Sequence, residues 1–262
     1  MSVPSRPAHL LRLAWSRLTK PTPKRRFGYR IARAESYPTR IPSLPVTPHP
    51  GYVGTEASLE HHKKHWLSDG YHADLAVAFR KYLGPNFAGS VLEVGCGMGH
   101  LHRVIGVRPE QYTGVDLNER FLAAGRAEFP GVTLIQSSAD RLPFPDKTFD
   151  CVLCCDVLIH LEDMRPALKE IVRVSKSAVL LRMRSGNGAY QTSKMVYDPY
   201  QERLFGYVTL EGRRHYGYYN VLAPEDLKSF LAHAGIEKYE CEELLPPEAP
   251  VHGLTKVFFR VP

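Results

Sequence analysis

Three glycines at alternate positions, Gly95, Gly97 and Gly99, follow the apolar run Val91-Leu92-Glu93-Val94, with Cys96, Met98 and His100 between and after them. Glycine lets a backbone take positive φ and lets a ligand approach closely. The N–H groups of such a turn, where it opens a helix, can face a carboxylate or a phosphate. A dinucleotide-binding GxGxxG turn would carry its third glycine at position 100, where His100 stands. The acid Glu93, two residues before the first glycine, is also unlike a typical dehydrogenase. Asp116 ends a second apolar run, Thr113-Gly114-Val115-Asp116-Leu117-Asn118, about 20 residues beyond the glycines, where an acid can accept hydrogen bonds from both hydroxyls of a ribose. The alternative is an aspartate that caps the helix beginning near Asn118.

Other residues carry weaker chemical signals. His160 follows a fourth apolar run, and an imidazole there suits a general base near neutral pH, or else a structural histidine that caps a loop. Cys151, Cys154 and Cys155 invite a metal or redox reading. On a strand, however, Cys151 and Cys154 point to opposite faces, and buried cysteine behaves as a small apolar residue. No convincing metal-ligand spacing occurs anywhere in the chain, so no metal is expected. His61, His62 and His65, with Lys63, Lys64 and Trp66, line the mouth of a site or form a solvated face, and the face is favoured. Between Ser185 and Asn220 lie Tyr190, Tyr197, Tyr200, Tyr207, Tyr216, Tyr218 and Tyr219. Tyrosine offers apolar area with a polar tip, and Arg213, Arg214 and His215 could hold an anion.

The elements that must position these residues read as alternating strands and helices. Residues 55–84 read as helical, with Leu75, Ala78, Phe79, Tyr82 and Leu83 on one face, ended by Gly84-Pro85. Strands follow at Val91–Val94, Tyr112–Val115, Val132–Ile135, Cys151–Cys155 and Ala178–Leu181. A helix carrying Met164, Ala167, Leu168, Ile171 and Val172 on one face separates the last two. Pro224 to Ala234 reads as a helix stopped by Gly235, with strands at Lys238–Cys241 and Thr255–Val261. This alternation implies an α/β fold with a parallel sheet covered on both faces.

The formal charge of +7 is uneven. Residues 1–50 hold ten Lys/Arg and one acid, Glu35; the remainder hold 24 Lys/Arg and 26 Asp/Glu. A nucleic-acid footprint over the whole domain is therefore not indicated. The chain divides into a basic, Pro/Arg-rich arm over 1–54 and a domain over 55–262, with 185–220 as an insert long enough to be functional, an acceptor lid. Within the arm, Leu10, Leu11, Ala14, Trp15 and Leu18 recur at helical spacing, and seven prolines between Pro21 and Pro50 rule out long regular structure. The arm reads as a solvated tail, as a segment lying on an anionic membrane surface, or as a mitochondrial transit peptide. Five cysteines argue against a disulfide framework and for a reducing, cytoplasmic setting, peripheral at a membrane if the arm binds one. No stretch approaches the ~20 consecutive apolar residues of a membrane span.

Taken together, Val91–Gly99, Gly114–Asn118 and Leu142-Pro143-Phe144-Pro145-Asp146-Lys147-Thr148-Phe149-Asp150 resemble class I S-adenosylmethionine-dependent methyltransferases. The likeness is nearest to the broad group of ubiquinone/menaquinone-type C- and O-methyltransferases. Val157-Leu158-Ile159-His160-Leu161 and Leu222–Gly235 extend it, so that it covers roughly residues 88–261. The resemblance implies a Rossmann-like, doubly wound sheet of seven strands, mostly parallel with an antiparallel C-terminal strand. It implies S-adenosyl-L-methionine as cofactor, with Gly95, Cys96, Gly97 and Gly99 around its methionine end and Glu93 bracing that turn. Asp116 would hold the ribose and Leu117 would pack on the adenine. Ser138 and Ala139 would lie beside the adenine amine, where the family usually has Asp-Ala. Cys155 and Asp156 would contact the cofactor through their backbone where the fourth strand meets it, and His160 would serve as base where the acceptor must lose a proton. Ser138 departs from the family pattern, since a hydroxyl is a weaker acceptor than a carboxylate; Asp140 is placed to compensate. The expected acceptor is a small molecule, a glycan or a lipid-linked group. The rival readings are a non-catalytic scaffold on the same fold, an RNA methyltransferase that uses the basic arm, and a nicotinamide-dependent oxidoreductase. Asp198-Pro199-Tyr200 is similar to the D-P-P-Y of amino-group DNA methyltransferases but lacks one proline and follows the fifth strand, so no DNA substrate is expected.

Overall fold

The computed structural model describes residues 30–33, 56–68, 70, 72–161, 163–185, 191–197, 215–222, 224–243 and 253–261. Within these, the main sheet comprises β2 (Val91–Val94), β3 (Tyr112–Asp116), β4 (Thr133–Gln136), β5 (Phe149–Cys155), β6 (Ser175–Ser185), β9 (Glu240–Glu243) and β10 (Gly253–Arg260). Their order is β4-β3-β2-β5-β6-β10-β9. The pairs β2–β3, β3–β4, β2–β5 and β5–β6 are parallel, and β10 runs antiparallel to both of its neighbours. This is the expected seven-stranded, mostly parallel sheet with one reversed strand near the C-terminus.

The centre of the sheet is buried on both faces because β2 and β5 are almost continuously apolar, as parallel strands with helices on both sides require. Leu92, Val94, Val152 and Cys154 pack with Ala167, Leu168 and Ile171 of α5 (Arg165–Val174) and Phe230 and Leu231 of α6 (Pro224–His233). On the other face Val91, Cys151 and Leu153 pack with α2 (Ala73–Leu83), α3 (Leu101–Ile105) and α4 (Glu119–Glu128) through Leu75, Phe79, Leu101, Phe121 and Leu122. Cys151 and Cys154 thus lie on opposite faces, as strand alternation demands, and all five cysteines are free. In α5, Ala167, Leu168, Ile171 and Val174 form the buried face. Each fully buried Leu, Ile or Val there contributes roughly 1.5–3 kcal/mol.

Residues 55–84 are not one helix. They form α1 (Glu56–Trp66) and α2, separated by a turn in which Gly70 and His72 take φ of 81° and 72°. The helical periodicity of 75–83 is real, but Ser68-Asp69-Gly70 is turn chemistry that breaks it. A second sheet, of order β1-β7-β8, joins β1 (Arg30–Arg33) to β7 (Gln191–Tyr197) and β8 (His215–Val221), all antiparallel. Four residues of the basic arm therefore pair with the Tyr-rich insert. The helical spacing noted over Leu10–Leu18, together with Tyr190, Asp198-Pro199-Tyr200, Tyr207, Arg213 and Arg214, lies outside the described residues.

The chain steps outward from β2 to β3 and β4, then crosses back to β5 and β6. The direction reverses between β2 and β5, and in open α/β sheets the ligand crevice lies outside the carboxyl ends of the strands at that point.

Candidate functional site

The glycine turn leaves the carboxyl end of β2 at this crevice. Gly95, Gly97 and Gly99 take φ of 76°, 55° and 77°, which side-chain-bearing residues rarely adopt. The amides of Gly95 and Cys96 both donate to the Val115 carbonyl, at 2.7 and 3.0 Å, which seats the turn on β3. Bare glycine faces also let neighbours close in. A Cβ on Gly97 would stand 2.7 Å from the Trp66 ring, one on Gly99 2.8 Å from Leu134 Cδ2, and one on Gly95 would collide with Val157 Cγ2. The Cys96 side chain points inward, against Gly114 and away from the crevice, so only its backbone is offered there.

Asp116 ends β3 beside the turn. Its Oδ2 accepts from the Gly97 amide at 2.8 Å and its Oδ1 from the Asn118 amide at 2.8 Å. Burial raises its carboxyl above the ordinary range, against the backbone amides of Asn118, Gly97 and Leu117, which stabilise the charge. The helix cap is a different residue. Asn118 Oδ1 accepts from the amides of Arg120 and Phe121, so Asp116 is free of the capping task considered for it. Leu117, next to it, is 51% exposed. Nearby, Ser138 donates its hydroxyl to the Asp140 carboxylate, so an acid is held where the serine stands, and Ala139 is half-buried against the core.

Glu93 is buried, and the contact described for it is the hydroxyl of Tyr112, which donates to Oε2. Burial pushes its carboxyl up to about 8; the Tyr112 hydroxyl opposes this, Asp116 adds to it and Arg182 lowers it. Cys155 ends β5, and burial raises its thiol well above the ordinary range. His160 sits half-buried in a single helical turn, Leu158–His160, against which β8 packs. The turn and the insert are thus brought together.

The other rim of the crevice is closed by residues whose spacing in the sequence carries no signal. The Trp66 ring of α1 stacks on His100 (5.5 Å, 7°), and His100 stacks on His72 (5.3 Å, 28°). Phe121 and His62 pack edge-on or tilted against Trp66, at 5.1 and 4.8 Å. His62 and Trp66 therefore face the turn, while Lys64 and His65 are exposed, so the solvated-face reading holds for only part of this helix. Arg182 of β6, 5% exposed, donates through Nε (2.9 Å) and Nη2 (2.5 Å) to Asp156 Oδ2. It also donates through Nη1 to Asp74 (3.2 Å) and through Nη2 to His72 Nδ1 (2.7 Å). Lys256, also buried, lies 3.7 Å from Asp74 Oδ2 and 3.9 Å from Glu242. His72 accepts from a guanidinium, and burial together with Arg182 lowers its pKa to about 3, so the ring is neutral. Burial, aided by His102 and Arg182, brings His100 down to about 4. Asp156 holds a φ of 59°, a conformation that aspartate tolerates better than most residues.

Comparison with known proteins fits this geometry. Residues 92–182 match the family model of a methyltransferase domain. That stretch runs from β2, through the glycine turn and Asp116, to Arg182. The "Probable S-adenosylmethionine-dependent methyltransferase" of Mycobacterium tuberculosis is 34% identical over 111 residues, covering 42% of this chain and 40% of that protein. The phthiotriol/phenolphthiotriol dimycocerosates methyltransferase of the same organism is 39% identical over 90 residues, covering 32% of this chain and 33% of that protein. The chain thus matches well under half the length of these curated relatives. Among solved structures, the 1,6-didemethyltoxoflavin-N1-methyltransferase of Burkholderia thailandensis, with its substrate and S-adenosylhomocysteine, superposes with a TM-score of 0.54 at 17% identity, covering 78% of this chain and 84% of that one. That likeness is one of fold.

Proposed function

We propose that this chain is an S-adenosyl-L-methionine-dependent methyltransferase acting on a small-molecule or lipid-type acceptor. The observation that carries the reading is the Asp116 carboxylate hydrogen-bonded to Gly97 within a three-glycine turn, at the carboxyl ends of β2 and β3 where the sheet reverses. The residues fit the cofactor. The turn takes the positive φ of a glycine-rich loop and offers its backbone, an acid hydrogen-bonded to it ends the next strand, and an exposed apolar side chain, Leu117, adjoins that acid. Asp140, held by Ser138, offers an acceptor for the adenine amine.

The chemistry such a cofactor supplies is an activated methyl group. The protein's task is then to position an acceptor in line with it and to exclude water. We assign His160, in the turn against which β8 packs, as the base for an acceptor that must lose a proton, and the β7–β8 insert as the acceptor lid. A lipid-type acceptor draws support from the named substrate of the phthiotriol relative. The motif order supports kinship with the ubiquinone/menaquinone-type group, and the five free cysteines support a reducing, cytoplasmic location.

Calorimetric titration with S-adenosylhomocysteine tests the reading, with NAD as control. Micromolar binding that Asp116→Ala weakens by about tenfold or more, or about 1.4 kcal/mol, is expected. Folded protein that ignores S-adenosylhomocysteine would leave a scaffold on this fold, and binding of NAD in its place would make it an oxidoreductase.

A further inference from the structure

Two side chains at the enclosed rim, His100 buried and Asp156 half-buried, hold buried polar atoms with no hydrogen-bond partner among the described residues. Both ring nitrogens of His100 are unpartnered, and so is Asp156 Oδ1. A buried polar group left unpaired costs about 1–3 kcal/mol, and native proteins keep few of them. Neither group is loose. The two faces of His100 are covered by Trp66 and His72, so only its edge, which carries the nitrogens, remains to reach a ligand. The other oxygen of Asp156 is taken by Nε and Nη2 of Arg182, which fixes the carboxylate plane and leaves Oδ1 as its one open acceptor.

Their placement brackets the turn. His100 directly follows the third glycine. Asp156 directly follows β5 and adjoins Val157, whose Cγ2 covers the bare face of Gly95, the first glycine. Arg182 joins the two sides, because the Nη2 that donates to Asp156 also donates to His72, the ring beneath His100. The open groups are of opposite kinds: a neutral imidazole donates an N–H, and a carboxylate oxygen accepts one. A ligand lying along the turn that carries a carboxylate at one point and an ammonium a few ångströms away would satisfy both.

We propose that His100 and Asp156 read the zwitterionic amino-acid end of the cofactor, His100 donating to its α-carboxylate and Asp156 Oδ1 accepting from its α-ammonium, with Arg182 and His72 as positioning residues. This rests on the cofactor reading above and adds which side chains discriminate a whole cofactor from its adenosine fragment. Methylthioadenosine, which shares the adenosine and thioether of S-adenosylhomocysteine but lacks the amino-acid end, separates the two.

The test is calorimetry with both ligands on wild type, His100→Phe and Asp156→Asn. Phenylalanine keeps a ring between Trp66 and His72, and asparagine keeps one oxygen for Arg182. Each variant should lose about tenfold or more in S-adenosylhomocysteine affinity, or about 1.4 kcal/mol, while methylthioadenosine affinity stays within about twofold, well inside that interval. Methylthioadenosine binding doubles as the check that each variant is folded. Equal losses for both ligands would mean that these residues only hold the turn, and no loss for either would mean that they touch neither; both results overturn the proposal while leaving the cofactor reading intact. Wild type that binds neither ligand removes both readings.

Discussion

The two rims of the crevice are built differently. At Asp116 the rim is open and local: the acid, the exposed Leu117, the Asn118 cap and the Ser138–Asp140 pair are set by short-range turns and amides. At Arg182 it is closed and long-range. Four charged residues converge there, Asp74 of α2, Asp156 at the end of β5, Arg182 of β6 and Lys256 of β10, together with His72, and an aromatic stack seals it with α1. An open rim can be altered with little effect on folding, whereas a closed one couples any change to the stability of the whole domain.

The largest break of that contrast is Arg182→Met. It removes charge-assisted hydrogen bonds from the half-buried Asp156 and Asp74 carboxylates, and urea unfolding at neutral pH should show a loss of about 1.5–3 kcal/mol. Next comes Glu93→Gln, which lies beneath both rims. The carboxyl, raised by burial from 4.5 to about 8, keeps a proton in the folded protein that the unfolded chain has already released. Its contribution to stability is therefore whole below about pH 4.5 and lost as pH rises through about 8. Wild-type unfolding free energy should fall across that window, and Glu93→Gln should flatten the slope; an unchanged slope would mean that the carboxyl is not held neutral. Gly97→Ala should cost about 1–2 kcal/mol for the left-handed backbone and push Trp66 off the turn, visible as a shift in tryptophan emission. Smallest in stability is Leu117→Ala, within about 0.5 kcal/mol of wild type, yet it should weaken S-adenosylhomocysteine and methylthioadenosine alike, because it acts at the end the two ligands share.

The same contrast decides what could be read in advance. The glycine turn, Asp116 and the strand alternation are local patterns, since a residue type and its nearest neighbours fix them. The sheet and its one reversed strand were legible for that reason, and so was the opposite facing of Cys151 and Cys154. Arg182, His72 and Asp74 carry no such pattern, because an arginine inside an apolar run looks like a strand edge until the fold brings in a partner from 108 residues away, and Asp156 is marked in the sequence only by its place beside Cys155 at the end of the fourth strand. His100 was noticed only for interrupting a glycine pattern. The break of 55–84 into α1 and α2 was within reach, since Ser68-Asp69-Gly70 is turn chemistry, but the apolar stripe of α2 masked it. The partner of Glu93, the Tyr112 hydroxyl, comes from the neighbouring strand 19 residues on and carries no local signal.

The strand β1 has a consequence for how the chain is made. Arg30 lies opposite Lys194, roughly 160 residues later in the chain. At a synthesis rate of about 5–20 residues per second, the arm emerges roughly 8–30 s before the strand it pairs with exists. Through that interval Arg30–Arg33 have no sheet to join and must wait for β7.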